Sequence, residues 1–225
     1  LAILVKKTKN KAGLKSKPGL PPTEIIKILK KHYPDAHCAL VHSNAFELLI
    51  ATILSAQCTD ERVNKVTPHV FKRWPTPRDL AEAPLEEIED LIRSTNFYKT
   101  KAKNIKACAK ALVDEHHSKV PQDMESLIAL AGVGRKTANV VLGNAFDISS
   151  GIVVDTHVGR LSQRLGWTKK KTAHEIEQDL LKIIPKKDWI LISHLLITHG
   201  RTLCKARRPL CESCFLFDHC PKKGV

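Results

Sequence analysis

Apolar residues along this chain recur every three or four positions, the period of helices that bury one face. After Pro21-Pro22, Thr23 is placed to cap a helix reaching about Tyr33. Asn44, three residues before Glu47, makes a capping pair ahead of the apolar stretch 48–54. Thr76-Pro77 and Pro84 each open a helix, because proline fits a first turn where its missing N–H costs nothing. Over residues 99–116 the pattern puts Ile105, Cys108, Ala109, Leu112 and Val113 on one face. Further helices are predicted over 123–130, 135–146, 155–165, 172–183 and 188–198. Only residues 152–154 read as extended chain, too few to build a sheet. The predicted fold class is all-α.

Composition narrows what such a helical protein does. A chain of 225 residues with 43% apolar content can bury a real core. Its formal charge of +14 predicts attraction to polyanions, of which nucleic acids are the commonest. Residues 1–19 carry six lysines and no acid, the makeup of a flexible basic tail suited to non-specific phosphate contact. No apolar run is long enough to span a bilayer. Seven cysteines, an odd number, with four of them crowded into 204–220, argue against a disulfide framework and for a reducing compartment.

Three motifs carry candidate chemistry. Gly132-Val133-Gly134 joins two helices by a tight turn that uses glycine at positive φ and lets backbone approach a ligand closely. The second helix then begins with unpaired N–H groups and a positive dipole end, a seat for phosphate. Lys136 falls in that first turn, where the dipole disfavours an ammonium and favours the neutral amine a nucleophile needs. Nineteen residues on, Asp155 is placed to cap a helix. Capping alone would account for it, but a fixed carboxylate near an attacking amine would also stabilise positive charge on a deoxyribose ring. His157 is placed to orient Asp155 or a phosphate.

The third motif is Cys204, Cys211, Cys214 and Cys220, spaced C-x6-C-x2-C-x5-C. Structural zinc usually takes two Cys-x2-Cys knuckles, and one is present, so the single short loop favours an iron–sulfur cluster with one cysteine per iron. Zinc held by four thiolates stays the alternative. Between the first two ligands lie Lys205, Arg207 and Arg208, which either compensate an anionic cluster or face phosphates.

Taken in order, Ser55-Ala-Gln57, Gly132-Val-Gly134-Arg135-Lys136-Thr-Ala-Asn, Val154-Asp155-Thr-His157 and the cysteine loop closely resemble the endonuclease III family of DNA glycosylases, over about residues 21–221. The resemblance implies a six-helix domain over 38–149 that contains a helix–hairpin–helix element. A second domain, from 20–37 and 150–225, would hold a 4Fe–4S cluster, with the DNA cleft between the two. It implies a base-excision-repair glycosylase and AP lyase for oxidised pyrimidines, with Lys136 as nucleophile and Asp155 assisting. The partner is then duplex DNA carrying damaged or abasic sites, met by a monomer away from membranes. That places it with the nucleoid in a bacterium, or in the nucleus or mitochondria of a eukaryote. Gln57 and an apolar wedge, aligned at Phe97, would fill the space of the extruded nucleotide, and Gly132, Gly134 and Arg135 would meet the backbone. Asn96-Phe97 departs from the family's glycine and aliphatic pair. Capping by Gln57 and core packing of Phe97 are the plain alternatives. Two other functions compete. A mismatch adenine glycosylase would lack the lysine, and a non-catalytic DNA-binding iron–sulfur protein would not need Lys136 with Asp155.

Overall fold

The computed structural model describes residues 19–225; of the basic tail expected over 1–19, all but Gly19 lies outside them. Among the described residues there are eleven α-helices and no strand. In chain order they are α1 (Pro22–His32), α2 (Ala45–Leu54), α3 (Asp60–Arg73), α4 (Pro77–Glu82), α5 (Leu85–Ile92), α6 (Tyr98–Glu115), α7 (Met124–Ala129), α8 (Arg135–Phe146), α9 (Thr156–Arg164), α10 (Ala173–Ile183) and α11 (Trp189–Thr202). The all-α expectation holds. Seven helices, α2 to α8, fall between residues 38 and 149, one more than the resemblance implies.

Local signals explain most of the boundaries. Asn44 accepts the N–H of Glu47 at 2.9 Å, and Glu47 accepts the N–H of Ser43 at 2.7 Å, closing the expected box. Thr76 and Asp79 form the same reciprocal cap on α4. Thr23, however, is not a cap: Pro22 already occupies the first turn, so α1 starts two residues earlier, after Pro21. The helix α3 has no counterpart in the sequence reading, because Pro68 sits inside it. An interior proline costs about 3 kcal/mol. Here it lies on the exposed side, while Val63, Val66 and Val70 bury the other face and offset that cost.

The buried apolar side chains form two clusters. In the first, α2 is nearly all buried and packs against α3, α6 and α8, with Leu49, Leu54, Ile105 and Leu112 fully enclosed. In the second, Ile25 and Leu29 of α1 join Leu161 of α9, Leu180 of α10 and Leu195 of α11. The first helix thus folds onto the last ones, across more than a hundred residues. Helix α11 runs four residues beyond its predicted end, through Gly200. That glycine allows close packing, since a side chain there would meet the His157 ring at 2.7 Å.

Candidate active site and cluster loop

Helix α7, the turn 130–134 and α8 form the hairpin. Gly132 adopts φ +77°, and a Cβ there would press on Asn104 and Ile53 at about 3.0–3.1 Å. Gly134 differs from the sequence expectation. Its φ is −103°, and a side chain at this position would meet nothing. The protein's own packing therefore does not require glycine at 134. What its absent side chain provides is an uncapped α8 N-terminus, with first-turn N–H groups free of any side-chain acceptor.

Lys136 is the second residue of α8 and is exposed, so its position offers a helix terminus and not burial. Asp155 is half-buried and caps α9, accepting the Val158 N–H at 2.8 Å. Both line a cavity of about 160 Å³ between the two apolar clusters, walled also by Ser55, Asp60, Asn139, His194 and Arg201. Both also line a wider opening of about 500 Å³ that continues along α9 past Arg160 and Lys171. The amine and the carboxylate thus share one cleft. It is bridged by Asp60–Arg201 at 2.6 Å and by His194 with Asn144 at 2.8 Å. His157 does not face this cleft freely: Arg160 Nη2 donates to its Nδ1 at 3.2 Å, and burial lowers its pKa although the Asp155 carboxylate opposes the shift.

Gln57 and Phe97 stand on neighbouring turns and both hold left-handed backbone, at φ +52° and +57°. Thr59, not Gln57, caps α3, and Phe97 is 63% exposed, so neither plain alternative accounts for them. Asn96 donates its side-chain amide to the Gln57 carbonyl and ties the two turns together. A buried lysine, Lys101, reinforces the same place by donating to the Leu54 carbonyl at the end of α2. Arg135 stays partly exposed but donates its Nε and Nη2 to the buried carboxylate of Glu177, a partner its position in the sequence does not announce.

The four cysteines line one apolar recess with Leu161, Leu165 and Leu216. Among the described residues, no three His, Cys, Asp or Glu side chains converge as they would on a single ion. Four thiols set around a recess instead suit a cluster that takes one ligand at each iron. Burial pushes the Cys214 and Cys220 thiols up, and their cysteine neighbours add to it, a cost that a cationic centre reverses. Donors already point at the sulfurs: the N–H groups of Leu216 and Lys222 reach Cys214 and Cys220 Sγ at 3.4 Å, and Arg164 Nη1 reaches Cys204 Sγ at 3.3 Å. The residues present fit the group.

Two arginines that the sequence reading passed over hold this loop. Arg164, 7% exposed, donates to the Lys205 carbonyl at 2.7 Å and the Ala206 carbonyl at 3.1 Å. Arg160 donates to the carbonyls of Gly200 and Cys204, both at 3.0 Å. Their signal was available: two arginines four apart among Val158, Leu161 and Leu165 lie on a face that must be buried, where a cation needs partners. Lys205, Arg207 and Arg208 stay exposed on the loop these arginines brace.

A helical hairpin beside a cleft with a lysine and an aspartate, backed by a four-cysteine loop, defines a class. Residues 50–186 match the HhH-GPD superfamily base excision DNA repair proteins, and residues 204–220 match the iron–sulfur binding domain of endonuclease III. The chain is 56% identical over 199 residues to Endonuclease III of Synechocystis sp., covering 88% of this chain and 91% of that relative. It superposes with a TM-score of 0.84 on a non-covalent Endonuclease III–DNA complex, at 49% identity over 88% of this chain and 92% of the other. A trapped Endonuclease III–DNA covalent intermediate gives the same score at 48% identity, over 89% and 96%. This chain belongs to the endonuclease III family.

Proposed function

We propose that this enzyme removes oxidised pyrimidines from duplex DNA and then cuts the strand, with Lys136 as nucleophile and Asp155 as its electrostatic partner. The single observation that carries this reading is that α8 and α9 deliver the lysine and the aspartate to one cleft between the two apolar clusters. We read those clusters as two domains, 38–149 and 20–37 with 150–225.

A base inside a duplex is out of reach, so the damaged nucleotide is drawn into the cleft and its place in the stack is filled by Gln57 and Phe97. The neutral amine of Lys136 attacks C1′, forming the N–C1′ bond. The C1′–base bond breaks, and the base departs with its electron pair and takes up a proton. Asp155 stays anionic at its cap and stabilises positive charge on the sugar. The amine loses its proton, the sugar ring opens, and O4′ is protonated, leaving a Schiff base between Lys136 and C1′. Loss of a C2′ proton then expels the 3′ phosphate by β-elimination, and water releases the lysine.

The uncapped N–H groups after Gly134 hold a phosphate of the same strand, and Lys205, Arg207 and Arg208 hold others. Cys204, Cys211, Cys214 and Cys220 bind a 4Fe–4S cluster that supplies rigidity to that loop. Among the described residues no helix is long and apolar enough to cross a membrane. The place of work is genomic DNA, in the nucleoid of a bacterium or in the nucleus or mitochondria of a eukaryote. Borohydride trapping on a duplex with thymine glycol or an abasic site tests the reading. Wild type gives a covalent adduct and Lys136→Gln gives none; an adduct with the variant would remove Lys136 from the role.

A further inference from the structure

Glu177 of α10 is a charged side chain only 4% exposed, and it lines neither cavity of the cleft. Its carboxylate is nevertheless fully engaged. One oxygen accepts Arg135 Nε at 2.9 Å; the other accepts Arg135 Nη2 and Asn139 Nδ2, both at 3.2 Å. Asn139 in turn accepts the Ser150 hydroxyl at 2.8 Å. Gly151 lies so close that any side chain there would collide with the Glu177 carboxylate and with the Asn139 amide at 2.7 Å.

These contacts join the two segments that carry the chemistry. Arg135 and Asn139 are four residues apart, so they share one face of α8. Lys136, one residue on from Arg135, is rotated by about 100° from that face, into the cleft. Gripping Arg135 and Asn139 together therefore sets the roll of α8 about its axis, and with it the direction of Lys136. On the other side, Ser150 and Gly151 begin the extended run that ends at Asp155. One buried carboxylate thus fixes the start of both paths.

We propose that Glu177 is a positioning residue for the Lys136–Asp155 pair, acting through Arg135 and Asn139 on the lysine and through Ser150 and Gly151 on the aspartate. Arg135 then belongs to this device and is not a phosphate contact. The proposal rests on the reading of Lys136 as nucleophile and adds to it the group that aims it.

Glu177→Gln, Arg135→Gln and the double variant separate these roles, with Lys136→Gln run beside them. Each is loaded with its cluster, checked for its melting temperature, and assayed well below melting. Two quantities are read: the trapping rate at saturating abasic duplex, and DNA affinity as a function of salt. A misaimed amine loses about tenfold to hundredfold in saturating rate, since displacements near 1 Å cost that much. DNA affinity should stay within about twofold, with an unchanged salt slope. The double variant should be no slower than the slower single one, because both remove the same link. Three results would overturn the proposal: a saturating rate within twofold of wild type in Glu177→Gln, an Arg135→Gln salt slope reduced by about one with its rate intact, or rate and affinity falling together as in a loosened fold. Trapping by Lys136→Gln would instead sink the nucleophile assignment on which the proposal rests.

Discussion

Two regions of this protein expose cations, and they are built in opposite ways. At the hairpin, the positive end is made by what is missing: Gly134 has no side chain, no cap closes α8, and Lys136 is left exposed at the helix terminus. At the cysteine loop, the exposed Lys205, Arg207 and Arg208 rest on dense internal bonding, with Arg160 and Arg164 donating to the loop's carbonyls. On the proposed function the first region has to leave donors free, because they act on the DNA. The second has to spend donors inward, because seventeen residues with little helix have no ladder of their own to hold them. Reactivity and bracing thus sit in separate places, although the cysteines are the most conspicuous feature of the sequence.

The largest expected effects fall on the chemical side of this comparison. Lys136→Gln should reduce single-turnover strand cleavage by roughly a thousandfold or more, measured on an abasic duplex. Asp155→Asn sharpens the point, because asparagine still caps a helix but carries no charge. It should slow base excision by about a hundredfold while leaving the melting temperature nearly unchanged. A large fall in melting temperature would show instead that Asp155 is chiefly a cap.

Removing the brace should act on stability and docking. Cys211→Ser should lose iron by elemental analysis, along with visible absorption in the blue, and should weaken DNA binding. Stoichiometric zinc in a colourless wild type would overturn the cluster. Arg164→Met leaves the carbonyls of Lys205 and Ala206 without their donor, at a cost of about 2–4 kcal/mol in unfolding free energy. The smallest effects belong to the loop's outer face. Replacing Lys205, Arg207 or Arg208 with alanine should each lower the salt slope of DNA binding by about one, with trapping at saturation intact.

Much of this was readable residue by residue wherever the determining contact is local. Asn44 with Glu47 and Thr76 with Asp79 bond groups three positions away, and so their helices begin where the sequence places them. Helix α3 was missed because Pro68 argues locally against it, while the valines that outweigh it act only through packing. The last helix was predicted to end at 198, two residues short of Gly200, and the His157 ring that needs the space at Gly200 is forty-three residues away in the chain.

The cysteine spacing, the Gly-Val-Gly-Arg-Lys phrase and the capping aspartate carried the resemblance that identified the family, and through it the expected reaction and cluster, because each is a local pattern with few chemical uses. Tertiary structure alone decided what surrounds them. It turned Arg135 onto Glu177 and packed Arg160 and the buried Arg164 against the cluster loop. It also stood Gln57 and Phe97 side by side through Asn96. A charge in a sequence is only a charge. Whether it is given to a ligand or spent on a buried partner depends on which distant atom lies within 3 Å, and only the packing of the whole chain sets that distance.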